Sequence, residues 1–297
     1  MEWGEDVDEF DAAEQLAAFV DHGGTLVDTA PIYGGGAAEP LIGTLLAKSG
    51  LRERIVLASK AGLRQSPDGI VRDTSRRCLL DQLDASLELL GVDHLDLWQV
   101  HVWDDGAPID ETLSALEYAV RTGRARYVGV GNYRGWQTSY AAARLMSRPE
   151  GLQLAGTQVE YSLVRRDIER EVVPAVAHAQ MGVIAWSPMG RGILTGKYRG
   201  GTPRQSRGAG GPFEYFIRPY LNGERDGVVE AVARAAEGLE VSMPAVALAW
   251  VRDRPSVSSV LLGASSVDQL RSNLEAADLT VPDEIREALD DVSKGFR

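Results

Sequence analysis

Several residue types that particular protein classes require are scarce in this sequence. A single cysteine, Cys78, excludes an internal disulfide, and its spacing among helical leucines predicts a buried structural thiol rather than a nucleophile. Only four histidines are present, too scattered to supply the clustered ligands of a metal-dependent hydrolase. No apolar run approaches the roughly 18 residues of a membrane-spanning helix, and the acidic residues 1–12 lack the apolar core of a signal peptide. We therefore expect a cytoplasmic protein with no membrane segment and no bound metal.

Basic residues are also in the minority, which limits the partners of the chain. Its 31 lysines and arginines are outnumbered by 43 aspartates and glutamates, giving a formal net charge of −12. Nonspecific binding to nucleic acid needs a basic patch that neutralises phosphates, so nucleic acid is not an expected partner. A small anionic ligand held by a few local Arg and Lys side chains is compatible with this charge.

Short apolar runs alternate with helix-like segments along the whole chain. Strands are predicted at residues 25–28, 55–60, 94–101, 125–132, 154–162, 181–188 and 257–266. Helices are predicted at residues 10–22, 39–48, 74–90, 110–122, 135–147, 167–180, 226–237, 243–253, 267–275 and 282–293. Strands separated by helices form a parallel sheet, and continuously apolar strands indicate that both of its faces are covered. No linker interrupts the alternation, so residues 1–297 are predicted to form a single domain.

A doubly wound sheet and a closed barrel both fit this alternation, and the glycines distinguish between them. A doubly wound nucleotide-binding sheet carries a Gly-rich turn after its first strand. Here the glycine clusters come late, at 129–135 and 190–196, and neither has the dinucleotide-binding spacing. A closed α/β barrel is therefore favoured, and barrels carry their functional residues at the carboxyl ends of the strands. The predicted ends carry Asp28, Lys60, His101, Asn132, Gln158, Trp186, Ser187 and Ser265.

The motifs around these residues resemble those of the aldo-keto reductase family, including its potassium-channel β-subunit-like branch. The matching stretches follow the family order and are LVDTAPIYG, VLASKAG, DLWQVH, RYVGVGNYRGW, TQVEYS, AWSPMGRGILTGKY and SVLLGASSVDQLRSN. The resemblance implies a (β/α)8 TIM barrel. It also implies an NADPH-dependent oxidoreductase that reduces an aldehyde or ketone to an alcohol, reversibly, with a small carbonyl compound as substrate.

The resemblance further implies a catalytic group made of Asp28, Tyr33, Lys60 and His101. Carbonyl reduction needs an acid that protonates the oxygen while a hydride reaches the carbon, and Tyr33 is expected to be this acid. An ammonium about 4 Å from the phenol, at an effective dielectric of ~20, favours the phenolate by roughly 4 kcal/mol before desolvation is subtracted. Lys60 is expected to supply this ammonium, and Asp28 to keep it charged. His101 is expected to orient the substrate oxygen or to relay the proton.

The same resemblance implies a site for NADPH/NADP+. Trp186 is expected to stack on the nicotinamide, and Asn132 and Gln158 are expected to bind its carboxamide. The other implied cofactor residues are Ser187, Pro188, Met189, Gly190 and Gly192 along the pyrophosphate, Lys197 and Arg207 at the phosphates, and Gly263, Ser265, Gln269 and Asn273 on the adenine side. Arginine suits a 2′-phosphate better than lysine does, because its planar guanidinium can donate two parallel hydrogen bonds to the phosphate oxygens.

Two substitutions set this chain apart from the usual family pattern. Gly131 replaces a serine before Asn132, which removes one carboxamide contact, and Ser272 replaces a glutamate on the adenine side. Trp103 and Trp136, with the Gly/Arg/Pro-rich segment 199–224, are expected to shape the substrate pocket. Aromatic rims accept many carbonyl compounds, so the substrate itself is left open.

The start of the chain is the largest departure from the family pattern. Met1, Trp3 and Gly4 match a Met-x-Trp-Gly-like segment at the end of the first barrel strand in the family. We therefore expect the barrel to lack its first strand at the N-terminus, and two explanations are left open: a start that is assigned too late, or a chain that is truly short. The two unpaired strand edges would destabilise the fold unless the N-terminus or another subunit fills the gap.

Two functions from different classes fit these observations. The intact group of Asp28, Tyr33, Lys60 and His101 favours an NADPH-dependent carbonyl reductase. The missing strand favours the alternative, an NADP(H)-binding module or redox sensor with little turnover, as in potassium-channel β subunits. Oligomeric state and the strictness of NADPH over NADH are left open.

Overall fold

The computed structural model describes residues 3–67, 69–204, 206, 208–210 and 214–297. The strands are β1 (Leu26–Asp28), β2 (Val56–Ala61), β3 (Leu63–Ser66), β4 (Gly69–Arg72), β5 (Leu95–Val100), β6 (Ala125–Gly131), β7 (Gly156–Glu160), β8 (Gly182–Trp186) and β9 (Val257–Val260). The helices are α1 (Glu9–Asp21), α2 (Ala38–Ser49), α3 (Arg76–Leu90), α4 (Ile109–Arg121), α5 (Gly135–Met146), α6 (Ile168–His178), α7 (Glu214–Ile217), α8 (Asp226–Leu239), α9 (Met243–Arg252), α10 (Val267–Leu274) and α11 (Asp283–Val292). Short 3-10 helices include Tyr33–Gly36 and Gly190–Thr195.

Seven strands form one sheet, in the order β1-β2-β5-β6-β7-β8-β9. Consecutive strands of this order are separated in the chain by helices, as parallel pairing requires. This is the α/β architecture of (β/α) barrels, so the fold class predicted from the sequence is confirmed. Within the described part of the chain, no helix combines the length and the apolar composition that a bilayer crossing requires.

The chain comprises two compact units, and the first contains β1 to β6, most of β7 and the helices α1 to α5. Its strands β1, β2, β5, β6 and β7 pair in parallel, with Asp28 opposite Ala58 and Lys60 opposite Gln99. This register brings the carboxyl ends of the strands to a common edge. Ser75 caps the first turn of α3, since its side chain accepts a hydrogen bond from the backbone of Cys78, and Gly91 ends the helix in the left-handed conformation.

The second unit comprises Glu160–Arg170, Ile184–Leu262 and Ser272–Arg297. It contains the end of β8, β9 and the helices α8, α9 and α11. Helix α9 is apolar on most of its surface, and its residues Ala245 and Leu248 pack with Ala276 in a buried cluster. Ser242 caps its first turn by accepting a hydrogen bond from the backbone of Ala245.

Two parts of the secondary structure differ from the sequence-based prediction. The predicted strand 257–266 was wrong in its second half, because β9 ends at Val260 and Ser265 therefore lies beyond the strand rather than at its end. An antiparallel hairpin, β3 and β4, was not predicted at all. The hairpin is largely polar and exposed, so it lacks the apolar run by which the other strands are recognised.

A close approach between α2 and α3 generates a stability prediction. A Cβ added at Gly43 in α2 would lie 2.4 Å from the carbonyl oxygen of Leu89, whereas one added at Gly238 in α8 meets nothing within 4 Å. We expect Gly43→Ala to destabilise the fold by about 1–3 kcal/mol because the helices must separate. The matched Gly238→Ala should stabilise it by up to about 1 kcal/mol through helix propensity. Urea unfolding of both variants measures this, and a stable Gly43→Ala would contradict the close helix contact.

Candidate active site

Lys60 lies at the centre of the predicted catalytic group, in the first unit. Its ammonium is 2.5 Å from Asp28 Oδ2, at the end of β1, and 3.1 Å from the Tyr33 hydroxyl, on the following 3-10 helix. It also donates to the Thr29 carbonyl oxygen at 2.9 Å. The side chain is only 1% exposed, so its positive charge is held by three protein oxygens.

His101 completes the group. Its backbone N–H donates to the Ala61 carbonyl oxygen at 2.8 Å, which continues the pairing of β2 and β5 past the end of β5. Its imidazole meets the Tyr33 ring edge-on, with centroids 5.9 Å apart and an angle of 86° between the planes. The structure therefore brings together all four side chains that the sequence predicts to be catalytic.

Asp28 is held by amides as well as by Lys60. Its second oxygen, Oδ1, accepts from Gln158 Nε2 at 2.8 Å and from Gln99 Nε2 at 3.4 Å. Gln99 was not predicted as a site residue, although a buried glutamine in the apolar strand DLWQVH was a signal. Gln158 was predicted only as a carboxamide ligand. Gln158 therefore also holds the Asp28 carboxylate in place, and this carboxylate in turn holds Lys60.

Asn132 joins this arrangement at the end of β6. Its Nδ2 donates to the His101 carbonyl oxygen at 3.0 Å, and its backbone N–H donates to the Gln158 carbonyl oxygen at 2.8 Å. The backbone of Asn132 is left-handed, with a φ of 57°, which asparagine tolerates better than most residues. The side chain is thereby placed between the ends of β5 and β7.

Burial dominates the electrostatics of Tyr33. Desolvation raises the pKa of the phenol above its ordinary value of 10.0, and the Asp28 carboxylate adds to this, whereas the charge and hydrogen bond of Lys60 lower it. The net pKa of Tyr33 is raised. The lowering by Lys60 that the sequence suggested is present, but the loss of water outweighs it. Tyr33 is therefore a neutral phenol at neutral pH.

The other titratable groups have well-defined charges in this environment. Burial lowers the pKa of Lys60, but Asp28 and Tyr33 raise it by more, so the ammonium stays protonated. Burial, with a contribution from the Lys60 charge, lowers the pKa of His101 to about 3. His101 is therefore neutral across the physiological range and presents one donor and one acceptor nitrogen.

Aromatic side chains follow the strand ends of β5 and β6. Trp103 packs edge-on against Tyr133 and Trp136, with ring centroids 5.1 and 5.3 Å apart. The Trp103 indole donates to Asp105 Oδ1 at 2.7 Å, and Trp136 is 54% exposed. The sequence predicted both tryptophans as pocket residues but missed the buried Tyr133 that packs against Trp103.

The predicted pyrophosphate loop lies in the second unit and has an unusual backbone. It runs from Ser187 through the 3-10 helix Gly190–Thr195, and Pro188, Met189 and Lys197 also belong to it. Ser187 and Arg191 have left-handed φ angles of 51° and 58°, beside glycines 190 and 192. Non-glycine residues in this region carry about 1–3 kcal/mol of strain each and concentrate at functional sites.

The predicted adenine-side residues fall in both units. In the first, Gln269 Oε1 accepts from the backbone N–H of Ser265 at 2.8 Å, just after Gly263. In the second, Asn273 is 3% exposed, and its Nδ2 is buried with no hydrogen-bond partner among the described residues. A buried donor without a partner is costly, so it fits an acceptor atom of a bound ligand. Arg207, the second predicted phosphate ligand, lies outside the described residues.

Two residues of the second unit were missed by the sequence prediction. Phe216 of α7 stacks on Trp186, and Arg191 pairs with Glu160 through two hydrogen bonds of 2.7 and 2.6 Å. Arg191 stands in the GRG segment, where only its neighbouring glycines were noted. No group of three or more His, Cys, Asp and Glu side chains within the described ranges could hold a metal ion.

Comparisons with known proteins assign the chain to a family. Residues 1–294 match the family model described as "Aldo/keto reductase family". The chain is 33% identical to "Uncharacterized oxidoreductase YrpG" of Bacillus subtilis, covering 99% of this chain and 90% of that protein. It is 32% identical to "L-glyceraldehyde 3-phosphate reductase" of Escherichia coli (86% and 75% covered). It is 30% identical to "Probable voltage-gated potassium channel subunit beta" of Arabidopsis thaliana (93% and 85% covered). The chain therefore belongs to the aldo/keto reductase family of NAD(P)H-dependent oxidoreductases.

Proposed function

We propose that the protein is an NADPH-dependent carbonyl reductase that interconverts small aldehydes or ketones with their alcohols. The observation that carries this proposal is the contact of one buried ammonium, Lys60, with both the Asp28 carboxylate and the Tyr33 phenol. The neutral His101 imidazole beside the phenol adds a hydrogen-bonding group for the substrate oxygen. The relative named as an L-glyceraldehyde 3-phosphate reductase supports reduction of a carbonyl.

The path of the proton follows from these contacts. NADPH, when bound, supplies the hydride that reaches the carbonyl carbon. Tyr33 donates its phenolic proton to the carbonyl oxygen, and the Lys60 ammonium, 3.1 Å away, stabilises the phenolate that remains. Asp28 keeps Lys60 protonated throughout. His101 donates a hydrogen bond that aims the carbonyl oxygen at the Tyr33 hydroxyl.

The cofactor is proposed to bind the residues that the family resemblance implies. Two observations support this: the left-handed backbone at Asn132, Ser187 and Arg191, and the unpartnered buried amide of Asn273. Lys197, at the end of the left-handed loop, is proposed to meet a phosphate together with Arg207. Trp103 and Trp136 are proposed to line the substrate pocket, because their rings form an exposed aromatic surface.

The similarity to a plant protein named as a channel β subunit favours a second candidate function. This is an NADP(H)-binding module or redox sensor with little turnover. Both candidates predict tight NADPH binding, but only the reductase predicts NADPH oxidation when a panel of carbonyl compounds is supplied. Binding without turnover across that panel would favour the second candidate.

Replacing the proposed acid should separate chemistry from binding. We expect Tyr33→Phe to lower the turnover number for carbonyl reduction by about 10²–10⁴-fold, since no other group replaces the phenolic proton. The dissociation constant for NADPH should change by less than about twofold. Tyr127→Phe is the matched control, because Tyr127 is exposed on β6. Retained turnover in Tyr33→Phe would reject the acid assignment.

The raised pKa of Tyr33 and the lowered pKa of His101 predict different pH profiles for carbonyl reduction and alcohol oxidation. Reduction uses the neutral phenol, and the raised pKa of Tyr33 keeps this form dominant up to alkaline pH. Alcohol oxidation uses the phenolate, whose fraction grows about tenfold per pH unit below the pKa, so its rate should rise with pH. With a pKa of about 3, His101 should add no inflection between pH 5 and 8. Profiles of kcat/KM test this, and an inflection near pH 6.5 lost in His101→Gln would contradict it.

The phosphate ligands predict cofactor preference. We expect Lys197→Ala and Arg207→Ala each to weaken NADPH binding by about 10- to 100-fold, the range for a charged hydrogen bond, and NADH binding much less. Lys48→Ala, which removes an exposed lysine paired with Glu9 in the first unit, should leave both constants unchanged. Direct binding titrations with the two nucleotides measure the ratio. Equal losses for NADPH and NADH would remove the 2′-phosphate role.

A further inference from the structure

Trp186 belongs to an aromatic cluster within the second unit. The Phe216 ring lies nearly parallel to the indole, at an angle of 18° and with centroids 6.1 Å apart. The Arg191 guanidinium lies 3.4 Å from the centroid of the Phe216 ring and 5.7 Å from that of Trp186. A guanidinium so close to an aromatic face is attracted by its quadrupole. Arg191 therefore stacks on the face of Phe216 that is turned toward Trp186 and lies beside the indole.

The guanidinium is itself fixed by buried partners. It forms a two-pronged pair with Glu160, at the end of β7, through bonds of 2.7 and 2.6 Å. The Tyr220 hydroxyl donates to the same carboxylate at 2.8 Å. Arg191 also donates to the carbonyl oxygen of Phe216 at 2.5 Å. Both the ring and the backbone of Phe216 are thus tied to the loop that follows β8.

We infer that Arg191 is a positioning residue that holds Phe216 against one face of Trp186, so that the opposite face receives the nicotinamide ring of the cofactor. The inference rests on the proposed function, which places the nicotinamide on Trp186. A side chain that is already immobilised loses little rotamer freedom when a ligand stacks on it. The left-handed backbone of Arg191 has a reason in this arrangement, because it directs the guanidinium back over Phe216.

The alternative is that Phe216 covers the face that the cofactor uses and must leave before binding. That movement would break the two-pronged pair of Arg191 with Glu160 and the hydrogen bond to the Phe216 carbonyl. Separating a buried ion pair is unfavourable, since each charge is left without its partner. The contacts therefore favour a permanent wall over a displaceable cover.

The test uses the full chain and direct NADPH titration. Phe216→Leu removes the stacked ring, and Arg191→Lys keeps the charge but loses the planar fork. Phe216→Tyr keeps the ring and serves as the conservative rescue. Arg199→Lys is the matched control, because Arg199 forms an equivalent two-pronged pair with Glu230 on the surface. Trp186→Leu, made alone and in each background, isolates the fluorescence of this one indole by difference.

We expect the dissociation constant for NADPH to rise about three- to tenfold in Phe216→Leu and Arg191→Lys, which corresponds to one aromatic stacking interaction. It should change less than about twofold in Phe216→Tyr and Arg199→Lys. Without any cofactor, the Trp186 emission should shift to longer wavelength in Phe216→Leu, because water reaches the uncovered face. A general loss of folding would not produce this pattern of rescue.

Two results would overturn the inference while leaving the proposed function intact. Tighter NADPH binding in Phe216→Leu would show that Phe216 competes with the cofactor for the indole. Unchanged binding in Phe216→Leu and Arg191→Lys, with weakened binding in Trp186→Leu, would show that the indole needs no such support. If Trp186→Leu itself binds NADPH as tightly as the wild type, the proposed nicotinamide site fails and the inference with it.

Discussion

The buried positive charge of Lys60 is the constraint on which the site depends. Lys60 is almost fully buried, and this burial lowers the pKa of its ammonium. The Asp28 carboxylate counteracts this, and Gln158 and Gln99 satisfy the carboxylate oxygen that Lys60 does not use. Loss of either charge would leave the other unpaired, at a cost of about 3–5 kcal/mol. The strand register is thereby fixed as well, because a one-residue shift of β2 would turn Lys60 to the opposite face.

Backbone strain in this protein is concentrated where the cofactor is proposed to bind. Asn132, Ser187 and Arg191 all have left-handed φ angles. Asn132 directly follows β6 and Ser187 directly follows β8, whereas Arg191 lies in the 3-10 helix after β8. Gln180 and Glu240 share this conformation but lie after α6 and α8, where a left-handed residue simply ends a helix. The strain at strand ends has no such local reason. It is compensated by hydrogen bonds such as that of Asn132 to the His101 carbonyl oxygen, which hold the backbone in place.

The sequence predicts the strands, most helices and three of the four converging side chains from local patterns, whereas the role of Tyr33 was implied by the family resemblance. A buried apolar run that ends in Asp28, Lys60 or His101 places that residue at a strand end, and parallel strands bring such ends together. The hairpin β3–β4 was missed because it has no distinctive run of apolar residues. The end of β9 was predicted too late because the apolar residues Leu261 and Leu262 continue the run past Val260. The contacts of Arg191 with Glu160 and Phe216 join distant segments, and no local spacing reveals them. The balance of effects on the Tyr33 pKa depends on burial, which the sequence does not quantify.

The burial that makes the charge of Lys60 depend on Asp28 also sets the protonation state of Tyr33. The Lys60 ammonium, 3.1 Å from the Tyr33 hydroxyl, favours the phenolate, but burial disfavours the phenolate by more. The resting phenol therefore keeps its proton, and Lys60 acts mainly on the charge that develops once the proton has left. A group that is neutral at rest and stabilised after proton loss is suited to proton donation. The neutral His101 cannot compete for that proton, since its own pKa is far lower. These properties thus favour the proposed role of Tyr33 in the reductive direction, in which the carbonyl oxygen receives the proton.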